Sequence, residues 1–583
     1  MWYVIPSRLQ TGTMDRGATA KLFYLADDAL KMIAPSLEKH KGCDILDINP
    51  GAGLWSQKLH EALLPRSHIL LEPDHATYGK FLEPLTTKPG SKYKLVTGDT
   101  TTFDTYRDLI DQGVFEHQTR KSNNDAGPRK QNNTLLVTGT LMWDPKLPGL
   151  GFDSMAKQLI TMFASYVPSH DVFHAYGPVR MLFWALREDL KPLFPQSSLH
   201  LGKSSVYLNE VSTSTEIVQP APEPRHSAKT SIGREARYTL QSLVRAMKTA
   251  RANGMQVPAH RRSVVHDLAD DVERISNGTG VLSISQCTEY LKEQTLLDPT
   301  AAVGLLPQNI IDSFVEQQDK ILNPSKYMAE NMDYDADASP GKRHFTQTEV
   351  GYVAMKRKGV TTQYLKLAVE KDAIVDIGEA IYHLECQILG MTSQEEKEPA
   401  LESLAKLNEK YEKAVKNRNE NVRQQVFSDL DDRIGLCSPV ARLGWDERPF
   451  EPLVMQPGEV WPPNRASLID LEPKLSPGPT SESHQYFQDF VIGLFSKPAM
   501  SLPEALDQLQ SGASQLIENV PVLRDVKRGG RLDMKHMRIR MLTTEMIEDL
   551  CNAYREWPFR APGTNHPNYF KLKSGGTGAS GPS

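Results

Sequence analysis

The stretch that most constrains this chain is Asp44 to Ser56, DILDINPGAGLWS, where an apolar run ends in an acid and opens directly into a glycine turn. An apolar run bounded by turn residues reads as a buried parallel strand. Gly51 and Gly53 then let the backbone swing tightly into a helix, whose free N–H groups suit a nucleotide-like ligand. The expectation is a doubly wound α/β sheet with its ligand site at the C-terminal strand ends.

The following residues fit that frame in order. Leu54 to Leu64 reads as a helix and Ser67 to Leu71 as a second strand ending in Glu72, nineteen residues past Gly53. An acid at that place accepts hydrogen bonds from ribose hydroxyls in dinucleotide folds. Lys94 to Val96 is a third strand, with Gly98 and Asp99 at its end, where an adenine amino group can be read. Leu135 to Val137 is a fourth, followed by GTLMW (Gly139 to Trp143), and Val179 to Ala185 a fifth. Ala18 to Leu37 shows helical spacing ahead of the first strand. A lone glycine turn often serves packing, and a lone acid often caps a helix. Their recurrence at successive strand ends is the stronger signal.

Composition narrows the function classes. A net charge of -5 over 583 residues means that any nucleic-acid role rests on local patches. Five scattered cysteines (Cys43, Cys287, Cys386, Cys437, Cys551) without CxxC spacing fit a reducing compartment and predict no metal site. No apolar run approaches the roughly 20 residues of a membrane helix, so no membrane partner is expected. The N-terminal MWYVIPSRLQTGTMDRGATAK, with Arg8, Arg16 and Lys21 against Asp15, suits either a mitochondrial presequence or an ordinary entry segment.

With these motifs in place, the chain resembles the adenine dimethyltransferases of ribosomal RNA and their offshoot, the mitochondrial transcription factor B proteins. ILDINPGAG resembles the family's cofactor loop, LLEPD its ribose-binding acid and TGDTTTFD its adenine-reading segment. GTLMW stands where the family has its catalytic G-N-L-P-Y, and Pro457 to Pro473 resembles the closing segment that enters the last strand. EWPFRAP, Glu556 to Pro562, is similar to a motif of the fungal mitochondrial RNA polymerase specificity factors, as are LLEPDHATYGKFL and RMLFWAL. The resemblance covers roughly residues 17 to 218 and 438 to 572. It implies a class I S-adenosylmethionine-dependent, Rossmann-like seven-stranded sheet and a cofactor site of Asp47, Asn49, Gly51, Gly53, Glu72, Asp99 and Thr140.

Departures from the family pattern fall on the chemistry. The family's motif-four asparagine accepts hydrogen bonds from the adenine amino group, and its tyrosine stacks on the flipped base. Here Thr140 stands at the asparagine position, followed by Leu141 and Met142, while Trp143 retains a stacking ring. Asn49 replaces the first loop glycine and Asp47 a commoner glutamate. S-adenosylmethionine is therefore expected either as a vestigial ligand or as a working donor.

Lys203 to Val218 resembles the family's sixth strand, and the seventh falls near Ser467 to Leu471, so that Gln219 to Cys437 forms a long insertion. Residues 1–218 are then the first part of the core, 219–437 a linker and helical insertion, and 438–475 the closing strand. Residues 482–570 form a C-terminal helical domain, with Pro498 and Pro503 marking a break and Ser501 a cap, and 571–583 a flexible tail. Asp372 to Leu389 and Glu395 to Gln425 read as a helical hairpin. Two stretches are basic. Arg225 to Arg262 has nine Lys and Arg against Glu235, and Arg524 to Arg540 has seven against Asp525 and Asp533. Arg234, Arg237, Arg245, Lys248 and Arg251 read either as a phosphate-binding stripe or as a solvated helix face. In the second stretch Arg528, Arg531 and Arg538 are expected to face outward. Trp557 reads either as a packing anchor or as a stacking platform for an unpaired base.

Two functions follow. The first is a non-enzymatic mitochondrial (matrix) initiation factor, partnered by the single-subunit mitochondrial RNA polymerase and melted promoter DNA. The second is an active dimethyltransferase of adjacent adenines in small-subunit ribosomal RNA.

Overall fold

The computed structural model describes residues 16–121, 130–143, 145–225, 233–328, 348–460, 464–475 and 480–560. Most of the N-terminal segment read as a presequence or entry stretch and the 571–583 tail lie outside these residues.

Eight strands form one sheet: β1 (Asp44–Ile48), β2 (Ser67–Leu71), β3 (Tyr93–Val96), β4 (Leu135–Leu141), β5 (Arg180–Leu186), β6 (Ser212–Gln219), β7 (Leu453–Val454) and β8 (Ala466–Pro473). Their order is β3-β2-β1-β4-β5-β8-β6-β7. β1 to β5 are parallel, and β8 runs antiparallel to both β5 and β6. All five residues of β1 are buried, because both faces of the sheet are covered. Leu46 and Ile48 belong to the core on one face, and Ile45 to the core on the other, with Trp55 and Trp184.

Two glycines set the geometry where β1 hands over to the helix Leu54–Leu63. Gly53 caps that helix in the left-handed region (φ 74°), which a side chain would strain. Gly139 lies beside Ile48 across the β1–β4 pair, and a Cβ there would come within 2.2 Å of the Ile48 carbonyl oxygen. β8 is fastened to β5 by an ion pair inside the sheet: the Arg180 Nε donates to Asp470 Oδ1 at 2.8 Å, and its Nη1 to the Ser36 carbonyl, also at 2.8 Å.

Three expectations change in detail. Lys203–Val211 is a helix and only Ser212–Gln219 is strand. The turn at Gly202, whose amide meets Ser205 Oγ at 3.3 Å, starts a helix that buries Val206, Leu208 and Val211. The edge strand β7 brings the sheet from seven strands to eight. The expected helical hairpin is three helices: Glu349–Gly390, of 42 residues, Gln394–Lys416 and Glu420–Cys437. Asn419 breaks the last two apart, accepting the Val422 amide at 3.0 Å as a helix cap.

The insertion has two parts. Helices Ala236–Ala252, Val264–Ile275, Ile284–Leu297 and Gln308–Leu322 share a core around Leu240, Val272, Leu291 and Ile310. The three later helices share a core with the C-terminal helices Ser481–Leu494, Leu502–Leu509 and Thr544–Glu556, in which Ile381 and Leu430 are clustered with Phe490, Leu550 and Tyr554. Ser501 sits at the start of Leu502–Leu509, its hydroxyl donating to Glu504 at 2.8 Å. The later part of the insertion and the C-terminal region thus share one core.

Candidate functional site

The C-terminal ends of β1, β3 and β4 are joined by one side chain. Asn49 follows β1 with φ 53°, a conformation asparagine tolerates better than most residues. Its amide Nδ2 donates to the Thr140 carbonyl at 3.0 Å, and its Oδ1 accepts the Thr100 hydroxyl at 2.7 Å. Asn49 and Thr100 are fully buried, and Thr140 is nearly so. Where the family pattern has a glycine with no side chain, this chain holds a polar bridge across the crevice in which open α/β sheets bind ligands.

Glu72 ends β2 as expected and is fully buried. Its carboxylate accepts the Gly51 amide at 3.0 Å and the Asp74 amide at 2.9 Å, which ties the glycine turn to the end of β2. Burial pushes the Glu72 carboxyl up to about 7, against the pull of those two amides. Asp99 is exposed and caps the next turn, accepting the Thr101 amide at 2.9 Å. Asp47 lies inside the sheet rather than at the crevice, 3.6 Å from His68 Nε2, and both its buried carboxylate oxygens lack a hydrogen-bond partner among the described residues.

GTLMW does not form a projecting loop. Gly139, Thr140 and Leu141 are the last residues of β4, Met142 is 3% exposed in the core with Trp55, and Trp143 is 7% exposed in the core with Phe163. The expectation of Trp143 as an open stacking ring is corrected: its ring is part of the packing. For a donor's ribose half the acid stands beside the glycine turn, but it is fully buried and its oxygens are engaged by the Gly51 and Asp74 amides. The transfer half does not fit, because the Thr140 carbonyl is already engaged by Asn49 and no amide side chain stands at 140.

The basic stretches are also corrected. Arg234 is buried, with Nη1 and Nη2 bonded to the two carboxylate oxygens of Asp446 at 2.7 and 2.8 Å. Arg237 is buried against Asp372 at 2.5 Å, and the half-buried Arg245 donates to the Leu436 carbonyl at 2.7 Å. Lys248 and Arg251 are exposed and lean on Glu273. Of Arg528, Arg531 and Arg538 only Arg528 is exposed, paired with Glu545 at 2.6 Å. Arg531 is 4% exposed and makes a two-point pair with Glu385 at 2.8 and 3.0 Å. Arg538 and Arg540 are buried around Asp431, the latter at 2.7 Å. The guanidinium fork matches a carboxylate at two points, so acids far away in sequence have drawn these arginines inward. Trp557 is 9% exposed, packed beside Tyr554, and leaves Phe559, at 72%, as the open ring next to it.

Sequence reasoning missed Thr100, Asp431, Asp446 and Glu385. The signal for the first was present: an asparagine appears in the glycine loop while one vanishes from motif four. For the three acids there was no local signal, since each partner lies over a hundred residues away.

Comparison with known proteins bears on this site. Residues 23–219 match the family Ribosomal RNA adenine dimethylase. Among curated proteins, Mitochondrial transcription factor 1 of Saccharomyces cerevisiae is 24% identical over 175 residues, which is 30% of this chain and 46% of that protein. The chain therefore spans less than half the length of that relative. Among solved structures, a dimethyladenosine transferase from Plasmodium falciparum aligns over 52% of this chain and 96% of its own, at 12% identity and a TM-score of 0.21. Over residues 23–219, this chain is thus similar to the ribosomal RNA adenine dimethylase family.

Proposed function

We propose that this protein is a mitochondrial transcription initiation factor that acts with the mitochondrial RNA polymerase in the matrix and holds promoter DNA in its melted form. The observation that carries the reading is the Asn49–Thr140 bridge. The domain keeps the sheet, while position 140 lacks the amide that would aim a methyl group and its carbonyl is held by Asn49. The similarity to a mitochondrial transcription factor supports the same conclusion.

A factor that binds only the open form of a promoter lowers the cost of melting by its affinity for that form. Phosphate contacts come from the exposed cations Lys248, Arg251 and Arg528, whose surface pairs with Glu273 and Glu545 cost little to exchange. An unpaired base stacks on the exposed ring of Phe559, with Trp557 behind it.

One observation favours a second reading, an active dimethyltransferase of ribosomal RNA. Glu72 is retained at the end of β2, against the glycine turn, and the family uses S-adenosylmethionine. Any donor would lie along Glu72, Gly51 and Gly53. Position 140 lacks the group that would orient the amino nitrogen for transfer.

Promoter-dependent runoff transcription with the mitochondrial polymerase, with donor present or absent, tests both. Stimulation on duplex and pre-melted promoters, independent of donor, is expected. Methyl transfer to a small-subunit ribosomal RNA hairpin, lost in Thr140→Ala, would overturn the factor reading.

A further inference from the structure

The exposed cysteine at the end of the insertion does not stand by itself. Glu379 and His383 are one turn apart on the helix Glu349–Gly390, with His383 Nε2 and Glu379 Oε1 3.8 Å apart. Cys437, the last residue of Glu420–Cys437, places its Sγ 3.5 Å from the same Oε1. One ligand atom from each residue lies within 4.8 Å of the other two. We propose that Glu379, His383 and Cys437 form a zinc site that clasps the end of helix Glu420–Cys437 to the long helix of the insertion.

Tetrahedral zinc, with bonds of about 2.0–2.3 Å, spaces its ligand atoms roughly 3.5 Å apart, so the three side chains need to close by no more than about 1.3 Å. The ligand chemistry selects the metal. A thiolate and an imidazole favour zinc over magnesium or calcium, which take all-oxygen shells. Thiolate and carboxylate together cancel the charge of a divalent ion, and three protein ligands leave a fourth position for water. The carboxylate is already oriented for this. Arg433 Nη1 holds the other oxygen of Glu379, Oε2, at 3.0 Å, which leaves Oε1 to face the thiol and the imidazole. Supporting hydrogen bonds of this kind fix the ligands of metal sites. The site is also accessible, since the His383 side chain is 54% exposed and that of Glu379 28%. Cysteine spacing along the sequence could not reveal it, because the three ligands come from positions 379, 383 and 437 and meet only when two helices pack.

The alternative is that Cys437 donates a plain thiol hydrogen bond to Glu379. Titration of the reduced full-length chain with cobalt(II), followed by competition between zinc and a chromophoric chelator, separates the two. A thiolate-to-cobalt charge-transfer band that saturates at one metal per chain is expected. Cys437→Ser should abolish the band, and Cys437→Ser and His383→Ala should each weaken zinc binding by about a hundredfold or more, since even outer supporting groups are worth 10–100-fold. Both positions are exposed, so the variants should keep the unfolding midpoint of the metal-free protein, while zinc should raise that midpoint only in the unmodified chain. Absence of the charge-transfer band, or zinc affinity unchanged in either variant, would overturn the site.

Discussion

The side-chain amide of Asn49 and the backbone carbonyl of Thr140 meet at 3.0 Å across the ends of two neighbouring strands. This contact and the Thr100 hydroxyl together satisfy a fully buried polar group. Removing it with Asn49→Ala leaves the Thr140 carbonyl and the Thr100 hydroxyl unpaired and should cost about 1–3 kcal/mol. Thr100→Val removes only one arm and should cost less. Because the two share a network, the double variant should be less destabilised than the sum of the singles, as urea unfolding would measure.

The buried and exposed arginines should behave oppositely toward nucleic acid. Arg531→Ala strands Glu385 in the core and should destabilise the protein by about 3–5 kcal/mol. Replacing the pair together, Arg531→Met with Glu385→Leu, should restore most of that loss and leave the salt dependence of single-strand binding untouched. Arg528→Gln should instead lower the log–log salt slope by about 0.7 with little change in stability. Fluorescence anisotropy across a salt series reads both.

Glu72 gives a pH signature. Its folded pKa, raised to about 7 by burial, stands above that of an unfolded glutamate. The contribution to stability is therefore complete below about pH 4.5 and is lost as pH rises through about 7, a change of order 3 kcal/mol. Glu72→Gln should flatten this part of the pH profile of the unfolding midpoint.

Gly139→Ala tests the closeness of β1 and β4. The new Cβ would sit 2.2 Å from the Ile48 carbonyl oxygen, so the strands must part, at a cost of about 3 kcal/mol or more. A fall in the thermal midpoint, together with faster amide exchange at Thr138 and Thr140, is the expected result.

What was legible in the sequence was local. The apolar run of β1, the glycines after it and Glu72 at the next strand end are short-range patterns, and the parallel strands follow them. Lys203–Val211 was misread because nine residues ahead of a true strand carry no alternation of their own. Charge was misread for a different reason. A count of arginines along a segment is silent about acids elsewhere, and Arg234 finds Asp446 while Arg538 and Arg540 find Asp431 only in the folded chain. The chemistry at position 140 was visible as a departure. That Asn49 bridges the Thr140 carbonyl and the Thr100 hydroxyl needed the geometry.

The place of β8 between β5 and β6 constrains how the chain is made. Asp470 meets Arg180 across 290 residues, so β5 lacks this neighbour until those intervening residues have left the ribosome. Contacts of such separation close slowly, and an unpaired strand edge invites misassociation in the meantime. The growing chain would hold β1 to β5 as an open-edged sheet, and the insertion must emerge before that edge can be sealed. Synthesis that stops anywhere before residue 466 should yield a product that aggregates or depends on a chaperone, however much of the family domain it contains.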